Sequence, residues 1–532
     1  MLVPGARACT SFLAGRNATI DGSTFITYAA DSHTLYGALK FIPAARHPKN
    51  STMEIREWDT NKLLGHIPQV EYTYKVVGNM NEHQLSITES TWGGRPELVD
   101  TTGIIDYGSL MYIALQRAKT AREAITVMTD LVSEYGYYSS GESFSIADPE
   151  EVWIMEMIGK GPQNQGAVWV AVRIPDDCIA AHANQSRIHK FPLDDKENCL
   201  YSPDVISFAR EQGYFNGLNK DFSFADAYAP ADFGALRGCE ARVWSFYNRF
   251  NSSMGKYLSY LNGKSKEYLP LYIKPDKKLS VQDMKDAMRD HFEGTPFDMT
   301  QDVGAGPFKC PYRFRPMTFK VDSVEYTNER AVATQQTAFT LVAQMRSWLP
   351  NAIGGVLWFG VDDTNTCVYV PLYACLNEVP ECYSELNGSM YDLSWTSAFW
   401  IHNWVANMSY SRYDQMIEDI RPVQKDIETT FYVQQPVIEK VANDLYRNDP
   451  VAAIRFLNAY SVAQAQQTTV QWKKLGEFLL VKYLDGNRKK EKGGHFLENG
   501  YGLPADPDFP GYSEEYYRAV AKDAGDRLKV AF

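Results

Sequence analysis

Cys9 is the residue best suited to chemistry in this chain, because the tripeptide Ala6-Arg7-Ala8 precedes it. A small-x-small tripeptide is the form that signal peptidase accepts directly before its cleavage site. Cleavage after Ala8 would leave Cys9 as the first residue, with a thiol nucleophile and a free α-amine in one residue. An α-amine has a reference pKa of about 7.7–8.0, so it can accept the thiol proton near neutral pH. The sequence therefore predicts an N-terminal cysteine nucleophile that carries its own general base.

Residues 1–8 are predicted to be the remnant of a leader or propeptide that is removed on maturation. They are too few for a complete signal peptide, which needs a charged region and an apolar region. A lipoprotein with lipid on Cys9 is the weaker alternative, because Ala6 rather than Leu stands three residues before it. We therefore expect an exported bacterial protein, periplasmic or extracellular, in which signal peptidase or the chain itself cuts the Ala8–Cys9 bond.

Other chemical motifs give weaker signals. The sequence contains no Gly-x-Ser-x-Gly, His-Glu-x-x-His, P-loop or Rossmann pattern, and none of its eight Cys form a Cys-x-x-Cys pair. Cys367, Cys375 and Cys382 lie close together, so one disulfide among them or with Cys310 is an alternative to buried free thiols. The polar residues 362–365 follow a predicted strand, and their composition predicts a polar turn rather than a cation site. We predict that the protein uses no metal and no organic cofactor.

Composition indicates a globular protein and excludes some functions. Of the 532 residues, 45% are hydrophobic and 22% are charged, and the formal net charge is −12. Such an acidic protein lacks the basic field that nucleic acids require. No apolar run approaches the roughly 18–20 residues of a membrane span. We therefore expect neither a nucleic-acid partner nor a membrane span, and the length is compatible with about three domains or one large elaborated core.

The elements around Cys9 are predicted to be strands. Residues 9–15 contain β-forming residues, residues 17–23 are rich in turn residues, and residues 24–28 form a second β-rich run. This pattern predicts a β-hairpin with Cys9 at the start of its first strand. Further predicted strands cover residues 143–147, 151–157, 167–173 and 354–361.

Helices are predicted between these strands and after them. One covers residues 109–118, and a Thr120-x-x-Glu123 capping box opens the next. This order suggests sheets covered by helices rather than alternating βαβ units. Three more helices are predicted over residues 423–445, 451–465 and 466–484, with a break at Asn448-Asp449-Pro450. We therefore divide the chain into a catalytic core, 9–393, and a mainly helical C-terminal region packed on it, 394–532.

Residues spread along the chain resemble the signature of a known family. The residues that carry the resemblance are Cys9-Thr10, Gly15, Ala18, Asp21-Gly22-Ser23 and Asp31, then Gly78-Asn-Met-Asn-Glu-His83, Thr101-Thr-Gly-Ile-Ile-Asp-Tyr107, Ala147-Asp148-Pro149 with Trp153, and Ala183-Asn-Gln-Ser-Arg187. In this order and spacing they are similar to the dipeptidases of peptidase family C69. That family belongs to the N-terminal nucleophile (Ntn) hydrolases and is related to the secernins. The likeness runs from Cys9 to at least Trp404.

The resemblance implies an α+β fold, a four-layer αββα Ntn-hydrolase sandwich with a helical C-terminal extension. It also implies hydrolysis of dipeptides through a thioester on Cys9. Asp31 matches an aspartate that lies near the nucleophile's amine in the related choloylglycine hydrolases; the alternative is a turn residue. Asn184 matches the position of an oxyanion donor, a task that suits an uncharged amide. The alternative for Asn184 is a loop-end residue that caps a turn.

Three further site residues, Tyr28, Thr91 and Arg242, match less closely. Family members often carry Arg-Asn-Glu-Asp where this chain has Tyr28-Ala29-Ala30-Asp31, so the arginine beside the nucleophile is missing. Either Tyr28 supplies a hydroxyl hydrogen bond instead, or the substrate contact differs. Arg242 matches a second active-site arginine, with a structural salt bridge as the alternative. Thr91 would lend its backbone N–H at the end of the predicted strand 86–91.

The sequence therefore predicts a cysteine dipeptidase that acts on small peptides, with Cys9, Asp31 and Asn184 as its catalytic residues. A related acyl-amide hydrolase, acting on an N-acyl amino acid or a conjugated amide, is one alternative. A non-catalytic, secernin-like binding protein that keeps the fold is the other, and the intact catalytic residues argue against it. The oligomeric state is left open, a homo-oligomer included.

Overall fold

The computed structural model describes residues 8–531, so Ala6 and Arg7 of the predicted cleavage motif lie outside the described residues. In chain order the strands are β1 (Ser11–Ala14), β2 (Thr24–Asp31), β3 (Phe41–Ile42), β4 (Ala45–Arg46), β5 (Thr52–Arg56), β6 (Leu63–Pro68), β7 (Tyr72–Thr73), β8 (Val76–Val77), β9 (Met80–Asn81), β10 (Ser86–Trp92), β11 (Gly141–Ala147), β12 (Val152–Gly159), β13 (Ala167–Arg173), β14 (Ile179–His182), β15 (Cys199–Tyr201), β16 (Tyr272–Ile273), β17 (Thr318–Val321), β18 (Val324–Thr327), β19 (Thr337–Met345), β20 (Val356–Val361), β21 (Val370–Tyr373), β22 (Glu491–Lys492) and β23 (His495–Phe496).

The α-helices of the described residues are α1 (Tyr107–Arg117), α2 (Ala121–Tyr135), α3 (Val205–Glu211), α4 (Phe224–Tyr228), α5 (Phe233–Ala235), α6 (Ala241–Phe250), α7 (Leu258–Leu261), α8 (Val281–Met288), α9 (Asn351–Gly354), α10 (Ala398–Tyr410), α11 (Tyr413–Tyr446), α12 (Pro450–Lys482) and α13 (Glu514–Ala524). None of the helices among residues 8–531 combines the length and the apolar composition that crossing a membrane requires.

Two large antiparallel sheets form the centre of the molecule. The first sheet has the strand order β16-β14-β1-β2-β19-β20-β21, and the second has the order β15-β13-β12-β11-β10-β9-β8-β3. The sheets pack face to face where β1 and β2 meet β10 and β11. At this contact the Thr88 hydroxyl donates to the Thr27 carbonyl at 3.2 Å and lies 3.3 Å from the Ser11 hydroxyl.

Helices cover the outer face of each sheet. On the second sheet, α1 and α2 bury an apolar stripe that includes Leu110 and Ile125 against Phe144 and Met155. On the first sheet, α8 contacts β2 and β19, α6 contacts β14, and the C-terminal helices contact β20 and β21. The layer order is therefore helix, sheet, sheet, helix, which confirms the predicted α+β αββα fold.

The predicted hairpin at Cys9 is confirmed. β1 pairs antiparallel with β2 on one side and with β14 on the other, so it is an interior strand of the first sheet. All four residues of β1 are buried, which matches its apolar composition. Cys9 lies two residues before β1. The nucleophile candidate thus lies just before a buried strand that is paired on both sides.

The capping box predicted for α2 is only half formed. The Thr120 hydroxyl accepts a hydrogen bond from the Glu123 backbone N–H at 3.2 Å, as expected for an N-cap. The Glu123 carboxylate, however, accepts from the N–H of Lys119 at 2.7 Å, one residue before the N-cap. The helix start is therefore correct and the reciprocal bond is shifted by one residue.

The C-terminal helices are longer than predicted. α11 begins at Tyr413 rather than at residue 423, and it holds Pro422 and Pro436 inside one helix. The break near Pro450 is confirmed, but the predicted helices 451–465 and 466–484 form the single helix α12. No Gly or Pro separates them, and buried Trp472 and Leu479 continue the packed face of the first half.

A buried ion pair joins these helices to the core. Glu428 of α11 accepts a hydrogen bond from Arg289 at 2.6 Å and another from the Tyr369 backbone N–H at 2.9 Å. The Glu428 side chain is 3% exposed and that of Arg289 is 7% exposed. The helical region is therefore joined by a buried ion pair to the end of α8 and by a backbone hydrogen bond to the segment that leads into β21. The division of the chain at residue 394 stays a prediction.

We predict that Glu428→Gln lowers the free energy of unfolding by about 3–5 kcal/mol, because it leaves the Arg289 guanidinium buried without its counter-charge. Urea unfolding followed by tryptophan fluorescence measures this. The matched control is Asp444→Asn on the same helix, whose pair with Lys440 is exposed; it should change stability by no more than about 0.5 kcal/mol. Equal effects of the two variants would contradict the coupling of α11 to the core.

Candidate active site

Cys9 lies between the two sheets and is 3% exposed. Its sulfur is 3.3 Å from Glu89 Oε1, on β10 of the second sheet, and 3.7 Å from the hydroxyl of Tyr28, on β2 of the first. Tyr28 also donates a hydrogen bond to Glu89 Oε1. The predicted nucleophile and the predicted hydroxyl donor Tyr28 are therefore together, and a glutamate that sequence reasoning missed joins them.

The surroundings of Cys9 keep its thiol protonated while Ala8 is attached. Burial raises the pKa of the thiol well above its usual value, and the negative charges of Glu89 and Asp31 raise it further. In this state the nitrogen of Cys9 belongs to the peptide bond with Ala8 and cannot accept a proton. The thiol gains an internal base only when the Ala8–Cys9 bond is cut.

Asp31 holds the residue that precedes the nucleophile. The Ala8 backbone N–H donates to the Asp31 carbonyl at 3.1 Å. Arg330 donates both to the Ala8 carbonyl and to the Asp31 carboxylate, whose other oxygen accepts from the Thr337 hydroxyl at 2.6 Å. Burial raises the pKa of Asp31, and the neighbouring Arg330 opposes that rise. The Asp31 carboxylate thus lies beside the bond that is predicted to be cut.

Arg242 connects the nucleophile to Asn184. Its Nη1 donates to the Cys9 carbonyl at 2.8 Å and to the Thr10 hydroxyl at 2.7 Å. Its Nη2 donates to the Ala183 carbonyl at 3.1 Å and to Asn184 Oδ1 at 2.9 Å. Burial and the nearby charge of Arg330 lower the pKa of Arg242 to about 10, so it remains a cation at neutral pH. These four hydrogen bonds position the groups around Cys9 and Asn184. The alternative stated for Arg242, a structural salt bridge, did not anticipate them.

The helix that carries Arg242 begins irregularly. A π-helical turn, Leu236–Glu240, leads directly into α6, where Arg242 is the second residue. Arg242 Nε donates to the Gly238 carbonyl in that turn at 2.7 Å. Turns of this kind are frequent at functional sites because they redirect a side chain. Here the turn holds the Arg242 guanidinium, which links the residues just before β1 to the residues just after β14.

Asn184 lies directly after β14 in the left-handed region, with φ of 60°, a conformation that asparagine tolerates. Its Nδ2 donates to the Thr91 carbonyl at 2.6 Å, and its backbone N–H donates to the Ser90 hydroxyl at 3.2 Å. Thr91 therefore contributes a carbonyl at this point, and its hydroxyl donates to Glu142 at 2.9 Å. The structure brings Asn184 and Thr91 together, and their oxyanion roles stay predictions.

Two buried groups hold the segment around Asn184. Glu156 accepts from the Ser186 hydroxyl at 2.5 Å and from the Arg187 backbone N–H at 2.6 Å. His182 lies between the hydroxyls of Ser90 and Ser145, at 2.6 and 2.7 Å, and so joins the two sheets. Burial and neighbouring arginines lower the pKa of His182 to about 3, which keeps the imidazole neutral. The Ala183-Asn-Gln-Ser-Arg187 motif is thus rigidly placed.

A cavity of about 360 Å³ adjoins the site, and its wall carries three arginines and one carboxyl group, that of Glu329. Arg330, which contacts Ala8, forms part of its wall together with Arg313 and Arg315. Burial and the charge of Arg330 lower the pKa of Arg315. The volume lies within the range of about 300–1,000 Å³ that is usual for ligand sites. A small anionic group would fit this wall.

The other chemical candidates have structural roles. Asp363 accepts hydrogen bonds from the hydroxyls of Tyr312 and Tyr410 and from the Asn365 N–H, so residues 362–365 form the predicted polar turn. All eight cysteines are free thiols, which decides between the two alternatives stated for them.

Sequence reasoning missed Glu89 and Arg330. The available signal for Glu89 was an acidic residue in the middle of a strand whose other residues are mostly buried. Arg330 is far from Asp31 in sequence and lies in no regular element, so no local pattern indicated it. Arg330 supplies a guanidinium beside the residue that precedes the nucleophile.

We predict that Cys9 reacts slowly with iodoacetamide at neutral pH in the chain that retains Ala8, because burial and two carboxylates raise its pKa. Glu89→Gln removes one of these charges, so the pH profile of alkylation should move to lower pH. Mass spectrometry of the Cys9 peptide over a pH series measures the shift. Cys178, whose pKa burial raises to about 12, is the internal control and should not respond. An unchanged Cys9 profile would show that Glu89 does not act on the thiol.

Comparison with known proteins identifies the family of this chain. The profile of peptidase family C69 matches residues 8–426. A probable dipeptidase of Latilactobacillus sakei is 27% identical, over 76% of this chain and 82% of the relative. A probable dipeptidase of Salmonella dublin is 27% identical over 69% and 81%, and a probable dipeptidase B of Streptococcus pyogenes serotype M1 is 23% identical over 91% and 94%. The family match begins at the residue before Cys9 and extends into α11, and on this basis the chain belongs to peptidase family C69.

Proposed function

We propose that this protein is a dipeptidase that hydrolyses its substrate through a thioester on Cys9. The observation that carries the proposal is the arrangement around the Ala8–Cys9 bond. Arg330 and Asp31 hold the residue before Cys9, and Arg242 holds the carbonyl after it. The names of the relatives from Latilactobacillus and Salmonella support the same activity.

Cleavage of the Ala8–Cys9 bond is the first step of the proposal. It creates the α-amine of Cys9 beside the Asp31 carboxylate, which stabilises the ammonium form of that amine by its charge. It also vacates the position of the Ala8 carbonyl next to Arg330. Export of the protein, inferred from the Ala6-Arg7-Ala8 motif, is part of the same proposal.

The chemistry then follows from the residues present. The Cys9 amine takes the thiol proton, and the thiolate attacks the carbonyl carbon of the dipeptide. The tetrahedral oxyanion is stabilised by Asn184 together with a backbone N–H, for which Thr91 is the candidate. The Cys9 ammonium returns the proton to the leaving nitrogen, the C–N bond breaks, and the C-terminal amino acid leaves. Water, deprotonated by the same amine, hydrolyses the thioester and restores the thiol.

The cavity beside Arg330 suits the leaving residue. A dipeptide carries its carboxylate on the residue after the scissile bond. The arginines on the cavity wall would attract that carboxylate. This arrangement favours dipeptides over longer peptides.

We predict that N-terminal sequencing of the active protein begins at Cys9 and that Cys9→Ala abolishes dipeptide hydrolysis. Cys9→Ser should retain only a trace of activity, because a hydroxyl is a much poorer nucleophile near neutral pH. The matched control is Cys178→Ala, since Cys178 is a buried thiol outside the site. Full activity in a chain that keeps Ala8 would eliminate the amine as general base. Substantial turnover by Cys9→Ala would overturn the nucleophile itself.

We predict that Asn184→Ala lowers kcat by about 10²–10³-fold, the usual cost of removing one oxyanion donor. KM for the dipeptide should change little, because the interaction forms mainly in the transition state. Steady-state kinetics on one dipeptide separates the two parameters. A loss confined to KM would assign Asn184 to substrate binding, and a normal kcat would leave it as a residue that orders the turn after β14.

A further inference from the structure

Glu89 has an unfilled acceptor directly beside the nucleophile. Its side chain is on β10, the residue is 1% exposed, and its Oε1 receives hydrogen bonds from Tyr28 and from the Cys9 thiol. Its Oε2 is buried and, among residues 8–531, has no hydrogen-bond partner. A buried carboxylate oxygen without a donor is costly, so such an atom indicates a group that arrives from outside.

Within residues 8–531, no lysine, arginine or histidine forms an ion pair with Glu89. The ion pairs of the described residues include Asp31 with Arg330 and Glu240 with Arg187, but none with Glu89. Arg242, the other guanidinium of the site, donates to the Cys9 and Ala183 carbonyls rather than to Glu89. Glu89 is therefore a buried carboxyl group that has no direct cationic partner among the described residues.

The titratable groups around Glu89 are neutral or negative. Cys9 from the first sheet, Tyr28 from β2 and Tyr137 from the segment before β11 all interact with its charge. Burial raises the pKa of both tyrosines well above the usual value, so both hydroxyls stay protonated. His182, which joins the sheets nearby, is neutral because its pKa is lowered to about 3. None of these groups supplies a positive charge.

We propose that Glu89 binds the α-ammonium group of the substrate and so restricts the enzyme to peptides with a free N-terminus. The assignment rests on the proposed function of Cys9. In a dipeptide only the α-carbon separates the α-nitrogen from the carbonyl carbon that is attacked. When that carbonyl carbon bonds to the Cys9 sulfur, the ammonium lies within reach of the carboxylate 3.3 Å from the sulfur. The ammonium supplies both a direct cationic partner for Glu89 and donors for its unfilled oxygen.

With this contact, the site would bind both charged groups of a dipeptide. Glu89 takes the ammonium of the first residue, and the arginine-walled cavity takes the carboxylate of the second. An N-acylated substrate would bring an uncharged group to Glu89 and leave the buried carboxylate unbalanced. Sites that are built around a charged or hydrogen-bonded partner reject analogues that lack it by large factors.

The test compares a dipeptide with its N-acetyl derivative on the mature enzyme. The wild type should prefer the free dipeptide in kcat/KM by at least about 10²-fold. Glu89→Gln should lower the ratio of kcat/KM for the free dipeptide to that for the N-acetyl derivative by about 10²–10³-fold, because an effect of Glu89 on the Cys9 thiol acts on both substrates alike and cancels in the ratio. An equal fall on both substrates would overturn the assignment and place Glu89 on the Cys9 thiol or its amine.

Tyr28→Phe is the matched variant. It removes the tyrosine hydrogen bond to the same carboxylate and keeps the charge, so the preference for a free amine should persist whatever happens to the absolute rate. Loss of that preference in Tyr28→Phe would contradict a role for the Glu89 charge.

A measurement on the wild type alone keeps the proposal falsifiable if Glu89→Gln does not fold. The ratio of kcat/KM for the free dipeptide to that for the N-acetyl derivative should fall as pH rises through the substrate α-amine pKa of about 7.7–8.0. Titration of the Cys9 amine cancels in this ratio because it affects both substrates. A ratio that is constant with pH, or equal hydrolysis of both substrates, would overturn the assignment and leave the proposed nucleophile standing. Hydrolysis of neither substrate would overturn the proposed function, and this assignment with it.

Discussion

The arrangement of charge between the two sheets constrains the rest of the structure. Asp31, Glu89, Arg242 and Arg330 all lie in an interior that is largely closed to water, where an unpaired charge costs several kcal/mol. Each group takes part in hydrogen bonds with elements distant in sequence, and Glu89 does so through one of its two carboxyl oxygens. The two sheets can therefore close only when those elements are in place. Cys9, whose backbone is part of this network, is positioned by the same requirement.

This dependence explains why the site is built from so much of the chain. Asp31 comes from β2, Arg242 from α6 after its π-helical turn, and Arg330 from the loop before β19. His182 and Glu156 add neutral and acidic contacts that hold the strand ends together. Because these groups share partners, we expect substitutions among them to be strongly non-additive. A change at Arg330, for example, alters both Asp31 and the residue before Cys9.

In the proposed mechanism, one peptide bond separates the inactive form of this network from the active form. While Ala8 is attached, the thiol has a raised pKa and no amine. In the proposed mature state a positive charge can form on Cys9 itself, beside Asp31. In the proposed complex the substrate ammonium is the direct partner of Glu89. Under this proposal the charges of the site change twice, first when the Cys9 amine forms and then when the substrate ammonium binds.

The sequence by itself determined the elements whose signals are local. The hairpin around residues 9–28 follows from its β-forming runs and turn residues, and the start of α2 follows from Thr120. The motif order from Cys9 to Arg187 was enough to indicate the family and the αββα fold. Only the tertiary structure decided that α12 is one helix, because its second half is stabilised by packing of Trp472 rather than by a local signal. The tertiary structure alone placed Glu89 and Arg330 close to Cys9. Contacts between charged or polar groups across two sheets depend on distance in space, and they produce no periodic pattern in the sequence.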